Sequence, residues 1–461
     1  MRECCCLVQN RQIEIDFFHI FCENINNKNQ KECGMANNPN TSSPSDEPIV
    51  NHGWRVTFAG MGINLALGIL YTWSVISKGV PAEWNWTEAD KSLPYAVACL
   101  VFCLVMVPAG RMQDKIGPRK VASLGGILVG IGMVAAGFTT SPMGYVLAFG
   151  VLAGAGIGFG YASATPPAVK WFPPHKTGMI AGIVVSGFGL ASVYAAPLAK
   201  WLTATYGLQK MIMILGVGFT IVVVGLAQFL KPPHKVLQFV KGYGDAGRMQ
   251  QEKSGAIAIK EDFTTSEMLK TWQFYLLWFM YACGAGAGLM VIGKLAAIAK
   301  IQANIELGFV LVAILAIGNG GGRVLAGVAS DKIGRKVTLI TCFLLQAVMV
   351  LLLSRAQVGS PLATVPMLAL ISAVIGANYG ANLALFPSIT KDFYGLKNFG
   401  MNYGMVFTAW GVGGFMLALL AGKVYVQTQS FNFAYYCSSV LLIAAAIVSL
   451  ALKAPRHKID A

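Results

Sequence analysis

From residue 54 to residue 452 the chain is a succession of apolar stretches, many close to twenty residues long and few carrying a charge. About twenty apolar residues cross the hydrocarbon core of a bilayer as an α-helix. A spanning segment must satisfy its backbone polar groups internally, which leaves helices or closed barrels. Barrel strands alternate apolar and polar residues. These stretches are continuously apolar, so the chain is read as an all-α membrane protein. Only 12% of the 461 residues are charged, about half the fraction of a soluble domain. Twelve transmembrane helices are predicted, at 54–78, 91–110, 119–139, 143–168, 177–200, 210–230, 272–299, 305–327, 336–355, 362–387, 399–423 and 432–452.

The longest interruption, 231–271, mixes charge with glycine. It is expected to be a cytoplasmic linker between a six-helix bundle over 54–230 and a second over 272–452, with a tail at 453–461. Residues 1–53 fall outside this pattern. They hold Cys4, Cys5, Cys6, Cys22 and Cys33 and then a polar run, without the basic-apolar-small progression of a signal peptide. Either Met35 is the biological start or the segment is a disordered extension. The spacing of these cysteines matches no standard metal-ligand pattern. Cys99, Cys103, Cys283, Cys342 and Cys437 lie in the spans, where small apolar packing is the default role.

The net charge of +15 does not call for nucleic acid, because it follows the positive-inside rule. With a cytoplasmic N-terminus, the inward loops and tail collect 22 Lys and Arg between Arg55 and Lys458. The outward side collects eight: Lys78, Lys91, Lys200, Lys210, Lys294, Lys300, Arg355 and Lys423. Both termini are therefore assigned to the cytoplasm of a multi-pass protein of the cell (inner or plasma) membrane.

The chain repeats itself. GRMQDKIGPRK (Gly110–Lys120) returns 217 residues later as GVASDKIGRK (Gly327–Lys336), pairing Asp114 with Asp331 and Gly117 with Gly334. Later in each half, GMIAGIVVSGFGLAS from Gly178 matches GMNYGMVFTAWGVGG from Gly400, aligning Phe188 with Trp410. Both copies of each motif fall on one side, so the halves are two parallel six-helix repeats about an axis along the membrane normal.

The G-x-x-x-D-x-x-G-R-K motif between helices 2 and 3, and again between 8 and 9, resembles the signature of the major facilitator superfamily. Within that superfamily, EMLKTWQFYLLWFMY (Glu267–Tyr281), NGGGR…SDKIGRK and NYGMVFTAWGVGG (Asn402–Gly414) resemble the oxalate/formate antiporter family and its lactate-transporter-like relatives. The resemblance covers about residues 54–452. It implies the major facilitator fold, a secondary transporter of small organic anions, and no cofactor. It also implies a gating latch from Gly110, Arg111, Asp114, Gly117, Arg119 and Lys120, and from Gly327, Asp331, Gly334, Arg335 and Lys336. The competing reading of these residues is a solvated loop that sets topology.

Arg323 stands eight residues before Asp331, about 12 Å along a helix. It therefore lies near the middle of a core about 30 Å thick. A charge there is costly and defaults to a functional assignment. No Asp or Glu interrupts a span at that depth, and Glu306, 17 residues away, is too far to neutralise it. A guanidinium grips a carboxylate bidentately, and the resemblance assigns the arginine of this motif to the substrate carboxylate. Lys294 is either a vestibule cation or an interfacial anchor. Tyr71, Trp73, Tyr161, Asn319, Asn378, Tyr379 and Trp410 fall on helices 1, 4, 8, 10 and 11, and as a set they are expected to shape the cavity wall. Pro166, Pro167 and Pro387, at matching places in helices 4 and 10, predict broken helices.

The resemblance also implies a lysine on helix 11 in members that exchange oxalate, and at that place this sequence has Trp410. One buried cation matches one carboxylate, which favours a monocarboxylate such as lactate, pyruvate or formate over a dicarboxylate. Proton symport and exchange against a second anion both stay open. An enzyme is disfavoured, because all five histidines lie outside the spans and no H-E-x-x-H or phosphate-binding loop occurs. A sensor built on a transporter would usually add a sizeable soluble module; the extensions here are residues 1–53, the central loop and a short tail, and a non-transporting sensor on this fold stays open as an alternative. The chain is expected to act as a monomer.

Overall fold

In the computed structural model, residues 51–233, 262–305 and 308–455 are described, and they belong to one compact unit. Residues 1–50, with Met35 and the five leading cysteines, lie outside them, as do 234–261 of the expected linker, Glu306 and the last six residues.

The described chain is helical. α1 (Gly53–Gly79) is interrupted by a 3₁₀ stretch at Gly68–Thr72; α2 is Glu88–Ile116, α3 Pro118–Ala136 and α4 Pro142–Lys170. A continuous run, Thr177–Ala227, folds at Gly207 into α5 (177–206) and α6 (208–227). Then follow α7 (Trp272–Ala303), α8 (Gly308–Ile333), α9 (Arg335–Ser354), α10 (Val365–Tyr394), α11 (Phe399–Thr428) and α12 (Asn432–Leu450). Among the described residues, eleven helices are long and apolar enough to cross a bilayer, one of them a 54-residue run. That run would be about 80 Å long if straight. Folded at Gly207, it makes two crossings, and the total is twelve.

Four glycines make the sharpest reversals. Gly117 (φ 91°) separates α2 from α3, Gly207 (φ 80°) α5 from α6, Gly334 (φ 89°) α8 from α9, and Gly395 (φ 80°) ends α10. With ψ values of 156°, 165°, 153° and −174°, they occupy a region essentially restricted to glycine. The conserved spacing of the repeated motif thus encodes a one-residue turn.

This corrects the expected loops. The spans predicted to end at 110 and 327 run on to Ile116 and Ile333. Asp114 and Asp331 therefore stand on the last helical turn, because a glycine that takes the left-handed conformation lets the helix continue until it is reached. The prolines also differ from expectation. Pro166 and Pro167 lie inside α4 and Pro387 inside α10, and neither helix breaks there. Proline removes one backbone donor, and packing inside a helical bundle tolerates that loss. The break falls in α1 instead, at Gly68–Thr72.

Across the two halves, α2 packs on α11 and α5 on α8. Glycines set the approach: a Cβ on Gly110 would strike the Gly400 carbonyl, and one on Gly327 the Gly178 carbonyl. Close backbone contact through small residues is how helices associate in lipid. Of the linker, Thr264 and Glu267 form a capping box on a short helix, Thr265–Leu269, and the Asp262 carboxylate accepts from the Leu396 and Lys397 amides.

Gly117→Ala and Gly334→Ala are each expected to cost ~1–3 kcal/mol through backbone strain. Gly218, on α6 with nothing near its missing side chain, provides the control. Thermal unfolding of the purified protein should fall for the two turn variants and stay within about a degree for Gly218→Ala; equal shifts would contradict the turn assignment.

Candidate functional site

Arg323, on the inner face of α8, is fully buried. Its Nε donates to Asn319 Oδ1 one turn earlier (3.0 Å), and Nη1 donates to the Val185 carbonyl of α5 in the other half (2.5 Å). Nη2 has no hydrogen-bond partner. None of the ion pairs among the described residues includes this arginine. Space for the guanidinium comes from Gly189, where a Cβ would lie 3.1 Å from Arg323 Nε and 3.2 Å from Asn319 Oδ1.

Aromatic side chains from both halves surround it. The Tyr71 and Tyr379 hydroxyls meet at 2.5 Å across the interface between halves, and Trp410 Nε1 donates to Tyr379 Oη at 2.8 Å. Tyr71 lies in the 3₁₀ stretch of α1. Phe188 packs edge-on against Tyr71 (5.1 Å between ring centroids) and Tyr161 (5.4 Å). Phe407 stacks on Trp410 (5.2 Å) and touches Tyr161 (5.4 Å). The charge of Arg323 acts on Tyr71, Tyr161, Tyr281 and Tyr379. The hydroxyls of Tyr161, Tyr281 and Tyr403 approach one another, yet all three are buried without a well-formed hydrogen bond.

The residues singled out from sequence thus divide. Arg323 bonds Asn319, and Tyr71, Tyr379 and Trp410 form a second bonded set within reach of the arginine's charge, which Tyr161 joins through its ring contacts. Asn378 is buried with Nδ2 unpartnered, but no hydrogen bond ties it to that network. Lys294 is exposed on α7, and no hydrogen bond or ion pair among the described residues connects it to Arg323. Trp73 donates to the Lys91 carbonyl and stacks on Phe149, within its own half. Sequence reasoning missed Phe102, Tyr281, Tyr403, Phe407 and the Val185 carbonyl. The repeat had aligned Phe188 with Trp410, and Tyr403 stands two turns before Trp410 on one helix face. A main-chain carbonyl leaves no such trace.

At the motif end each aspartate caps a helix of the opposite half. Asp331 accepts from the Gly178 and Met179 amides at the start of α5 (2.9 and 2.7 Å), and Asp114 accepts from the Met401 amide at the start of α11 (3.1 Å). A carboxylate at a helix N-terminus gains both hydrogen bonds and the helix dipole. The two copies are unequal. Arg335 bonds Asp331 (2.6 Å) and Asp392 (2.9 Å), and Lys391 reaches Asp392 and Thr177. Beside Asp114 stands only Lys170, at 3.9 Å, while Arg111, Arg119 and Lys120 are exposed. Lys336 donates to the Leu450 carbonyl.

No cluster of metal-binding side chains occurs among the described residues, and the five described cysteines are free.

Residues 56–299 and 277–461 match the family model described as Major Facilitator Superfamily. The chain is 28% identical to an uncharacterized MFS-type transporter, YhjX, of Escherichia coli, over 78% of this chain and 85% of that one. It is also 28% identical to the oxalate:formate antiporter of Oxalobacter formigenes (81% and 84%) and 22% identical to human monocarboxylate transporter 14 (86% and 89%). Among solved structures, a double-tryptophan mutant of XylE superposes with a TM-score of 0.69 at 14% identity, covering 88% of this chain and 96% of that one.

Removing the Asp331 carboxylate exposes the start of α5. Asp331→Ala is expected to speed amide exchange at Gly178 and Met179 at least tenfold, about 1.4 kcal/mol of lost protection. Hydrogen-exchange mass spectrometry of that peptide reads it directly, and unchanged exchange would contradict the cap.

Proposed function

Because the chain belongs to the Major Facilitator Superfamily, we propose that it is a secondary active transporter of small organic anions, monocarboxylates such as lactate, pyruvate or formate. One observation carries the substrate class: a fully buried guanidinium with an unpartnered Nη2 and no carboxylate bound to it. An unsatisfied charged donor in a low dielectric costs several kcal/mol. The neighbouring unsatisfied groups are hydroxyls able to donate, and an ionised carboxylate is acceptor-only. A carboxylate seated between Nη2 and the tyrosines would satisfy both sides.

Charge matching supports a single negative charge. Trp410, at the place where the resemblance implies a second cation, is neutral and already bonded to Tyr379. Exchange of a dicarboxylate is the second reading, favoured by the similarity to the oxalate:formate antiporter.

In the proposed cycle the halves 54–230 and 272–452 rock about the central site, joined by 231–271. The motif end, closed here by the Asp331 and Asp114 caps, opens to the cytoplasm, where both termini lie. The protein is an integral multi-pass membrane protein; as a monomer it would couple substrate either to a proton or to a counter-anion.

Uptake of labelled lactate, pyruvate, formate and oxalate into proteoliposomes, with and without a pH gradient or a trans anion, tests this reading. Arg323→Ala removes a buried charged contact worth ~2 kcal/mol or more, so carboxylate uptake should fall at least about thirtyfold in correctly folded protein. Tyr379→Phe removes two neutral hydrogen bonds, with Tyr71 and from Trp410, of about 1 kcal/mol each, a loss of up to roughly thirtyfold. Unimpaired uptake by Arg323→Ala would overturn the site, and dominant oxalate exchange would overturn the charge argument.

A further inference from the structure

Away from the central site, α1, α3 and α6 converge at the motif end on a cavity of about 250 Å³ lined by His52, Arg55, Arg119, Gln228, Phe229 and Lys231. Three permanent cations and a histidine share this space, and no acidic side chain lines it. Like charges gathered in one pocket repel, so the cluster calls for an anion. The positive-inside rule asks for cations in the loops; it does not ask that Arg55 of α1, Arg119 of α3 and Lys231, just after α6, line one cavity.

The pocket is also held in shape. The Arg55 guanidinium lies over the Phe229 ring at 4.3 Å, and Trp171 Nε1 donates to the Lys231 carbonyl at 2.8 Å. His52 meets Trp171 edge-on at 6.0 Å. Trp54 and Phe58, on the first turns of α1, are exposed, as aromatic side chains are at the headgroup level of a membrane. At the corresponding end of the second half, Lys336 of α9 donates to the Leu450 carbonyl of α12.

A second observation extends the site. Between the same α3 and α6, an apolar groove of about 480 Å³ runs along the outside of the helices, lined among others by Ile127, Gly130, Val134, Val217, Thr220 and Ile221. It begins eight residues beyond Arg119, about 12 Å along α3. An acyl chain of one leaflet descends about 15 Å, far enough to enter the near half of the groove. At Gly130 the two helices touch, since a side chain there would collide with Thr220, and this close approach forms the floor of the groove.

We propose that this pocket and groove bind one anionic phospholipid, its phosphate headgroup between Arg55, Arg119 and Lys231 and an acyl chain between α3 and α6. Basic pockets between transmembrane helices on the positive side take such headgroups. The site is independent of which anion meets Arg323.

The test titrates the full-length purified protein in detergent with dioleoyl phosphatidylglycerol, dioleoyl phosphatidylcholine, dihexanoyl phosphatidylglycerol and inorganic phosphate, with bound lipid read by native mass spectrometry. Dioleoyl phosphatidylglycerol should bind at least tenfold more tightly than the choline lipid and than its own short-chain form. Arg55→Gln with Lys231→Gln should erase that preference. Ile221→Trp, at a position 68% exposed, should fill the groove and weaken the long-chain lipid at least fivefold while leaving the short-chain form unchanged, and it serves should the double variant misfold. Equal affinity for the two dioleoyl lipids, or a preference that survives both variants, would overturn the proposal. So would displacement of the lipid by equimolar inorganic phosphate, which would mark a site for free anions.

Discussion

A permanent cation held near the centre of a membrane protein organises what surrounds it. Arg323 is fully buried and has no carboxylate bound to it among the described residues. Its two bonded nitrogens are held by Asn319 and by the Val185 carbonyl of the opposite half. The guanidinium is therefore one of the links that join the halves across the interface, and a ligand that competes for it acts on the contact that a transport cycle must break and remake. The internal repeat sharpens this. Counting back 217 residues from Arg323 reaches Met106 on α2, which packs against Gly404 as Arg323 packs against Gly182. The backbone contact is duplicated, and the charge is present in one half only.

The motif end obeys the same economy. Gly110 against Gly400 and Gly327 against Gly178 bring helix backbones close enough for Asp114 and Asp331 to reach the first amides of α11 and α5. Each cap spans the two halves, so the caps and the glycine contacts belong to one interface. The copy around Asp331 is further tied by Arg335 and Asp392, whereas Asp114 has Lys170 beside it at 3.9 Å.

Much of this was legible in the sequence because it rests on residue type and period. The twelve crossings and the repeated motif followed from hydropathy and spacing, and Arg323, singled out by its place in an apolar run, is fully buried. Where sequence reasoning fell short, the cause was local backbone geometry. The motif reads as a polar loop, but glycines at φ near 90° compress it to a one-residue turn and carry the aspartates on the helix. Prolines read as breaks, yet α4 and α10 continue through Pro166, Pro167 and Pro387, and the interruption falls at Gly68–Thr72, beside Tyr71. Val185 contributes a carbonyl that no side chain advertises. Lys294, read as a vestibule cation or an interfacial anchor, is exposed.

The central claim is that Arg323 holds the carboxylate of a transported monoanion. Solid-state NMR on the lipid-reconstituted protein, with carbon-13 carboxyl lactate and nitrogen-15 arginine, measures that contact directly. The account predicts dipolar coupling corresponding to about 4 Å between the carboxylate carbon and a guanidinium nitrogen, the spacing of a charge-assisted hydrogen bond from Nη2, and its loss in Arg323→Lys. Bound lactate showing no such coupling, or coupling that persists in the lysine variant, would contradict it.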